Sequence, residues 1–366
     1  ETLGNLYAMH WPFKQHTTSR NQKLMPYHDH LLKRGACFGQ AAAYERPMWY
    51  AINGNEPKYK YSYGYQNWYE SAEYETINAR KNVALFELSP FAKFELTGNQ
   101  AHSSLQYICS NDIKNQIGTI TYSQMLNSKG GIESDLTITC IEENKFRVVT
   151  GSGVRIHDKK HILKNIDPSV NFQDITDDLA CFGIFGPKSR ELLIEIFGDY
   201  FSNADFKFGT GKKIIKDGNE IWFQRISYVG ELGWEIYIPV EKSKQIYETI
   251  INTEKKYGLV HAGAHAMDIM RMEKGYLHWG HDISPAENSY EAGLEFALKL
   301  NKKEDFIGST TVKVGRNKKL NKFIGKNGYL FLPASIIEVK GDSKIIPATF
   351  LFCATSTAIP VPKDSP

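Results

Sequence analysis

Residues 121–138, TYSQMLNSKGGIESDLTI, contain two strand-like runs joined by the turn-forming letters NSKGG. Asp135 falls just inside the second run, which also contains the apolar residues Ile132, Leu136 and Ile138. Alternation of this kind around a glycine-containing turn predicts a β-hairpin. A carboxylate held in a half-buried strand can have a raised pKa or a fixed rotamer, and both suit a group that orients an amine or exchanges a proton with it. The alternative interpretation is a solvent-facing aspartate beside a turn.

Strand and helix patterns alternate along the chain on both sides of this hairpin. Short alternating segments begin at Phe91, as in FAKFELTGN, and indicate antiparallel strands. Apolar spacing and start signals predict helices at 100–108, 188–197 and 241–256 and within HAGAHAMDIMRMEKGY, residues 261–276, and a polar segment with Glu and Arg residues predicts one at 71–82. The mixture predicts an α+β fold in which helices pack against antiparallel sheets.

A second glycine-containing turn lies within residues 225–239, RISYVGELGWEIYIP. Its glycines permit a tight turn between two strand-forming runs. Tyr228, Glu231, Trp234 and Glu235 would present rings and carboxylates around that turn, a composition suited to stacking on a flat heterocycle and accepting its N–H donors. An ordinary hairpin with an aromatic core explains the same letters.

Two histidines follow a predicted helix in the segment RMEKGYLHWGHDI. His278 and His281 have a spacing that invites a metal-site interpretation, but no carboxylate-rich cluster accompanies them. Hydrogen-bonded histidines are therefore the favoured interpretation, and no metal site is predicted.

The composition restricts the class of partner. Lys and Arg number 44 against 41 Asp and Glu, giving a net charge of +3 with the charges scattered along the chain. Nothing in this balance favours a nucleic-acid or membrane partner. We find no long apolar run and no secretory signal pattern, and we expect a cytoplasmic protein, or a mitochondrial-matrix protein in a eukaryote.

Cysteine spacing and nucleotide-binding motifs also restrict the chemistry. The five cysteines are widely separated, which predicts reduced and partly buried thiols. The chain lacks a GxGxxG fingerprint after a strand, a P-loop, an HExxH motif and a GxSxG motif. Flavin, NAD, ATP and zinc are therefore poor candidates for cofactors held by this chain alone.

Several separate segments resemble one family, the C-terminal half of the dimethylglycine and sarcosine dehydrogenases and oxidases, which is similar to the glycine-cleavage T-protein. The resemblance extends from about Gly4 to Gly308, in matching order and spacing. The matching segments are RPMWYA, SYGYQNWYE, LSPFAKFELTGNQA, YSQMLNSKGGIESDL, FGIFGPKSRELL, RISYVGELGWEIY, RMEKGYLHWGHDI and EAGLEFALKLNKKEDFIG.

The resemblance implies an aminomethyltransferase fold that binds tetrahydrofolate. In the family, an N-methyl amine is oxidised at FAD in another domain, and the resulting iminium or formaldehyde reacts with tetrahydrofolate to form 5,10-methylenetetrahydrofolate. By position, Asp135 matches the catalytic carboxylate. The residues implied to bind the folate are Tyr122, Tyr228 and Glu235, with Glu231, Tyr276 and Trp279 as pocket wall.

The same resemblance implies a division of the chain. Residues 1–50 are expected to be the connector that follows a missing FAD domain, and residues 51–300 the folate-binding domain. Residues 301–366 are expected to form a truncated or divergent C-terminal β-barrel and tail, because the sequence beyond Gly308 matches the family poorly. An FAD-containing oxidoreductase domain is the expected partner, and FAD is expected only in that missing half.

Two other functions remain open at this point. A free-standing T-protein-like aminomethyltransferase would work with a lipoyl carrier, but it would have no use for a flavin-domain junction. A non-catalytic folate-binding domain would have no need of a carboxylate at Asp135.

Overall fold

A computed structural model describes residues 14–314, together with Gly4, Tyr7 and the pairs 323–324 and 330–331. Residues 1–321 form one compact unit and residues 322–366 a second. In the second unit, the described residues form the short antiparallel pair Phe323–Ile324 and Leu330–Phe331. The expected C-terminal barrel and tail lie largely outside the described residues.

Thirteen strands are described in the first unit and form three sheets. They are β1 (Ala36–Ala41), β2 (Tyr44–Tyr50), β3 (Val83–Glu87), β4 (Ala92–Thr97), β5 (Ile120–Leu126), β6 (Ile132–Glu142), β7 (Lys145–Thr150), β8 (Asn171–Asp174), β9 (Leu179–Phe185), β10 (Gly211–Lys216), β11 (Asn219–Gln224), β12 (Gly233–Pro239) and β13 (Leu259–Ala262). A six-stranded sheet has the order β10-β11-β12-β9-β3-β13, and a five-stranded sheet has the order β5-β6-β7-β4-β8. Strands β1 and β2 form a separate hairpin.

Helices separate and cover these strands. They are α1 (His28–Lys33), α2 (Tyr69–Lys81), α3 (Ala101–Ile108), α4 (Arg155–Asn165), α5 (Ser189–Phe197), α6 (Val240–Ile251), α7 (Glu254–Tyr257), α8 (Ala264–Glu273) and α9 (Ser309–Val314). The mixed architecture, with antiparallel sheets and flanking helices, confirms the predicted α+β class. None of the described helices is long and apolar enough to span a bilayer.

Helices cover the outer face of the six-stranded sheet. Alternate residues of β12, such as Trp234 and Ile236, pack there with Leu192 of α5 and Ile246 of α6. The same core contains Tyr27, Leu31, Tyr44 and Tyr50, all from the segment expected to be a connector. That segment is thus part of the packed core of the first unit.

The other face of the six-stranded sheet packs towards the five-stranded sheet. Phe86, Phe185 and Tyr237 from the first sheet share a core with Val149 of β7. A hydrogen bond of 2.9 Å, donated by Nε2 of Gln224 to Oγ1 of Thr139, joins the two sheets. Because side chains alternate along a strand, the residues of β6 that share a face with Thr139 point into this inter-sheet space.

Two local features differ from the sequence-based expectations. The helix predicted at 241–256 is broken after Ile251, where the Thr253 hydroxyl donates a hydrogen bond of 2.7 Å to the Ile250 carbonyl and competes with helical bonding. Strand β13 pairs with β3 in parallel, whereas the other pairs in both large sheets are antiparallel.

Candidate functional site

The predicted hairpin is formed by β5 and β6, and its turn is closed by a side chain. Oδ1 of Asn127 accepts hydrogen bonds from the backbone N–H groups of Lys129 and Gly131, at 2.9 and 3.0 Å. A Cβ atom on Gly131 would lie 2.0 Å from the Pro285 carbonyl oxygen, so only glycine permits this approach of the two backbones. The turn is thereby held against the loop that contains Pro285.

Asp135 lies on the face of β6 that points towards the other sheet. It pairs with Gln124 of β5 and shares its face with Thr137 and Thr139. Its side chain is half-buried and accepts a hydrogen bond of 3.2 Å from the hydroxyl of Tyr122. The structure therefore favours the half-buried carboxylate over a solvent-facing aspartate.

The surroundings of Asp135 disfavour its ionised form. Burial is the largest cause and raises the pKa of the carboxyl to about 6, and the charge of Asp158 acts in the same direction. The hydrogen bond from Tyr122 opposes this shift because it stabilises the ionised carboxylate. A carboxyl with this pKa is mostly ionised at pH 7 yet can exchange a proton near neutral pH.

Replacing Tyr122 with phenylalanine should raise the pKa of Asp135 further. The Tyr122→Phe change removes the hydroxyl donor, so we expect an upward shift of roughly half to one pH unit. A ¹³C NMR titration of carboxyl-labelled aspartates measures this, with the Asp135 signal identified by its loss in Asp135→Asn. Tyr228→Phe is the matched control, because the Tyr228 hydroxyl donates to the carbonyl of Leu277, at 2.9 Å. An unchanged or lowered value in Tyr122→Phe would contradict the assignment.

Aromatic rings lie close to the Asp135–Tyr122 pair. The ring of Tyr122 stacks on Phe296, with centroids 5.8 Å apart. Tyr228 stacks on Tyr276 at 6.3 Å. Burial is the main cause of the raised pKa of Tyr228, and the charge of Asp135 contributes, so the two groups interact. Tyr122, Asp135, Tyr228 and Tyr276, predicted from distant segments, are thus brought together.

Trp279 approaches the same strand from the loop after α8. Its Nε1 donates a hydrogen bond of 2.8 Å to the carbonyl oxygen of Ile132, at the start of β6. Its ring stacks on that of His157, with centroids 5.9 Å apart. Trp279 therefore contacts β6 at Ile132, which precedes Asp135 by three residues.

The two predicted glutamates are placed differently. Glu231 accepts a hydrogen bond of 2.7 Å from Arg80, which also binds Glu273 at 2.6 Å. Glu235 is buried on the inner face of β12, where it accepts a hydrogen bond from the Tyr237 hydroxyl. Burial raises the pKa of the Glu235 carboxyl to about 7, against the opposing effects of Tyr237 and Lys93. Neither glutamate is hydrogen-bonded to Asp135 or Tyr122.

A buried amide donor lies directly beside Asp135. Gln124, the cross-strand partner of Asp135, accepts hydrogen bonds at Oε1 from Ser110 and Ser289, at 3.4 and 3.1 Å. Its Nε2 atom makes no hydrogen bond with any residue in the described part of the chain. A carboxylate, an amide donor and aromatic faces in one place are suited to a planar ligand with both N–H and carbonyl groups.

Sequence reasoning missed two features around this site: the burial of Arg271 and the carboxylate of Asp158. Arg271 binds Asp268 at 2.7 Å and also Asp282, and Asp158 lies on the opposite side of the hairpin. No sequence pattern predicted a helix around Asp158. The helical spacing of MDIMRME predicted that Arg271 lies on a helix, but its burial depends on the loop that follows.

His278 and His281 lie together, with ring centroids 4.3 Å apart. Within the described residues, no group of three or more His, Cys, Asp or Glu side chains is arranged to hold a metal ion. The four cysteines that the structure describes, Cys37, Cys109, Cys140 and Cys181, are unpaired and buried.

Comparisons with known proteins agree with this fold and with the resemblance. A family model described as the GCVT N-terminal domain matches residues 27–302. The chain is 40% identical to 4-methylaminobutanoate oxidase (formaldehyde-forming) of Paenarthrobacter nicotinovorans, over 84% of this chain and 38% of that protein. It is 34% identical to the mitochondrial dimethylglycine dehydrogenase of Homo sapiens, over 77% of this chain and 33% of that protein. The chain thus spans little more than a third of these relatives.

A solved structure shows the same fold. The glycine cleavage system aminomethyltransferase T from Bartonella henselae superposes with a TM-score of 0.69 at 23% sequence identity. The superposition covers 82% of this chain and 76% of that protein.

Proposed function

Because the chain belongs to the GCVT family of aminomethyltransferase-like proteins, we propose that it binds tetrahydrofolate and transfers a one-carbon unit to it beside Asp135. The observation that carries the proposal is the half-buried Asp135 carboxyl, hydrogen-bonded to Tyr122 at 3.2 Å in a hairpin faced by Tyr228.

The residues around Asp135 fit a reduced pterin. Its ring N–H groups need acceptors, which Asp135 supplies, and its carbonyl needs a donor, which Nε2 of Gln124 can supply. The stacked pairs Tyr122–Phe296 and Tyr228–Tyr276 offer flat apolar faces. Tetrahydrofolate supplies two nucleophilic nitrogens that accept the one-carbon unit.

Asp135 has two functions in this proposal. Its ionised carboxylate orients the N–H groups of the ligand and stabilises positive charge that develops next to it. With a pKa of about 6, the carboxyl also exchanges a proton with a neighbouring amine near neutral pH. Tyr122 keeps the carboxylate in place through its hydrogen bond.

The other four residues have two kinds of role around Asp135. Some form the wall of the site, and others act through neighbouring residues; the four are Glu235, Glu231, Tyr276 and Trp279. Tyr276 and Trp279 form wall residues beside Tyr228 and Ile132. Glu231 acts through Arg80, which ties the turn to α2 and α8. Glu235 acts from within the inter-sheet space, where Tyr237 holds it.

The wider reaction we propose is that of a demethylating amine oxidoreductase. An FAD-containing domain or subunit would oxidise an N-methyl amine, and this chain would convert the resulting iminium or formaldehyde into 5,10-methylenetetrahydrofolate. The names of the relatives, a formaldehyde-forming oxidase and a dimethylglycine dehydrogenase, favour this reaction over that of a free-standing aminomethyltransferase with a lipoyl carrier.

Titration of the protein with tetrahydrofolate tests the proposal. Tryptophan fluorescence should change saturably, because Trp279 lies beside the start of β6. Trp279→Phe should reduce the amplitude, whereas Trp68→Phe is the control, since Trp68 stacks on His265 instead, with centroids 3.8 Å apart. Calorimetry with the same ligand measures binding independently. The absence of saturable binding by both methods would refute the proposed function.

A further inference from the structure

A fully buried carboxylate lies behind the strand that carries Asp135. Asp158 is in the first turn of α4, on the outer face of the five-stranded sheet. Its Oδ2 atom accepts hydrogen bonds from the hydroxyls of Ser134, at 2.6 Å, and Thr150, at 2.5 Å. Ser134 directly precedes Asp135 in β6, and Thr150 ends β7, so one carboxylate joins two neighbouring strands at this point.

The contact continues to the backbone of Asp135. The Thr150 hydroxyl lies 3.4 Å from the Asp135 carbonyl oxygen and 3.3 Å from the Ser134 hydroxyl. Thr150 pairs directly with Leu136 in the sheet. Movement of Asp158 would therefore displace the residues on both sides of Asp135.

Each residue before Asp135 in β6 is held by a different side chain. Trp279 binds the Ile132 carbonyl at 2.8 Å, and Nε2 of His157 lies 3.2 Å from the Glu133 carboxylate. His157 also contacts Asp158 through Nδ1, at 2.9 Å. Stacking of Trp279 on the His157 ring joins these contacts into one network. The start of β6 is thus fixed residue by residue up to Asp135.

Asp158 also acts on Asp135 electrostatically. The two carboxylates lie on opposite faces of the β6–β7 pair, and the charge of Asp158 helps to raise the pKa of Asp135, after the larger effect of burial. The other titratable groups that face Asp135 are Tyr122 from β5 and Tyr228 from the turn before β12. His157 lies beside Asp158 on α4. Of the groups that face Asp135, Asp158 is the one that carries a carboxylate charge. Removing that charge should therefore lower the pKa of Asp135.

We propose that Asp158 is a positioning residue for the one-carbon transfer: it fixes β6 and β7 at Asp135 through Ser134 and Thr150, and its negative charge destabilises the ionised form of the Asp135 carboxyl. This inference rests on the proposed function. Asp158 does not contact the ligand and acts only through Asp135 and the strand that carries it.

The variant Asp158→Asn tests the electrostatic part. Asparagine keeps an acceptor oxygen for the two hydroxyls but removes the charge. We expect the pKa of Asp135, from ¹³C NMR titration of labelled carboxyls, to fall by at least about half a unit. The acidic limb of the pH profile of transfer should move to lower pH by the same amount, because Asp135 then ionises earlier. An unchanged ¹³C titration overturns the inference.

Thr150→Val is the matched control for the positional part. It removes the hydroxyl but leaves the charge of Asp158, so we expect a lower transfer rate with the pKa of Asp135 shifted by less than in Asp158→Asn. If Thr150→Val leaves the rate unchanged, Asp158 does not position the strand through Thr150, and that part of the inference fails.

Two further results separate the possible failures. If the ¹³C titration of Asp158→Asn shifts but the pH profile of transfer does not, ionisation of Asp135 does not limit transfer, and the proton-exchange role proposed for Asp135 fails instead. If Asp158→Asn does not fold, Ser134→Ala provides the readout. It removes a hydroxyl that donates a hydrogen bond of 2.6 Å to the Asp158 carboxylate, so the negative charge of that carboxylate is less compensated and the pKa of Asp135 should rise. A fall would overturn the inference.

Discussion

Replacing Asp135 with alanine should slow one-carbon transfer to tetrahydrofolate by about 10²- to 10⁴-fold, while folate affinity stays within about tenfold. The rings of Tyr122, Tyr228 and Tyr276 remain in the variant, and stacking on them does not require the Asp135 carboxylate, so we expect binding to change little. What is lost is the carboxylate that stabilises developing charge and exchanges a proton. Such a group contributes mainly in the transition state, and its loss lowers kcat more than it raises KM.

The rate can be measured as formation of 5,10-methylenetetrahydrofolate from tetrahydrofolate and formaldehyde, with the uncatalysed background subtracted. Asp199→Ala is the matched control, because Asp199 is an exposed aspartate in the turn after α5. It should leave the rate and the affinity unchanged. Transfer by Asp135→Ala at the rate of the unsubstituted protein would remove Asp135 from the mechanism, whatever its affinity for folate.

Replacing Trp234 with alanine should cost about 3–5 kcal/mol in the free energy of unfolding. The Trp234 ring is fully buried and packs against Phe201 and Phe206, with centroids 5.3 and 5.9 Å apart. The guanidinium groups of Arg190 and Arg225 lie 5.9 and 5.6 Å from its ring. Alanine would leave a cavity that this rigid sheet cannot close. The loss is a large part of the roughly 5–15 kcal/mol that stabilises a typical protein.

Urea denaturation followed by far-ultraviolet circular dichroism measures this loss. Phe208→Ala is the control, because the Phe208 side chain is 72% exposed, and its change should stay within about 0.5 kcal/mol. Trp234→Phe keeps an aromatic ring, so its free energy of unfolding should fall by less than that of Trp234→Ala. If Trp234→Ala were as stable as Phe208→Ala, the assignment of Trp234 to the core would be wrong.

Loss of Trp234 should also affect the candidate site, because β12 directly follows the turn that carries Tyr228. Gly233 pairs with Phe185, and Trp234 with Ile184, at the start of the strand. A loosened β12 would let that turn move away from Asp135. The two substitutions act differently. Asp135→Ala removes the proposed catalytic group without changing the fold, whereas Trp234→Ala keeps the site residues but weakens the packing that holds them in position.

Local patterns predicted much of the fold. The alternation in TYSQMLNSKGGIESDLTI predicted the β5–β6 hairpin but left open whether Asp135 is half-buried or solvent-facing, and the helical patterns predicted α2, α3 and α5 within two residues of their ends. Strand β6 and α5 bury mainly apolar residues on one face, so their periodicity is visible in the letters. Helix α2 instead buries small and polar residues such as Ala72, Glu75 and Thr76. The resemblance named the family, which the match to residues 27–302 confirms.

Helix α4 was missed because it buries very little. Of its residues only Asp158 and Ile162 are buried, whereas Ile156 is 67% exposed and Leu163 is 47% exposed. The apolar letters of RIHDKKHILKN therefore do not mark one face, and the helix is stabilised by its tertiary contacts. The buried carboxylate of Asp158 could not be identified without that helix.

Short-range sequence patterns were enough to predict the α+β class, the hairpin that carries Asp135 and, segment by segment, the family, because each pattern lies within a short stretch of the chain. Which side chains from distant stretches lie in contact became known from the fold alone. It brought Tyr228 and Trp279 to the hairpin that carries Tyr122 and Asp135, and it placed Asp158 behind Asp135. Contacts of this kind depend on the packing of sheet against sheet and helix against sheet, which local periodicity does not encode.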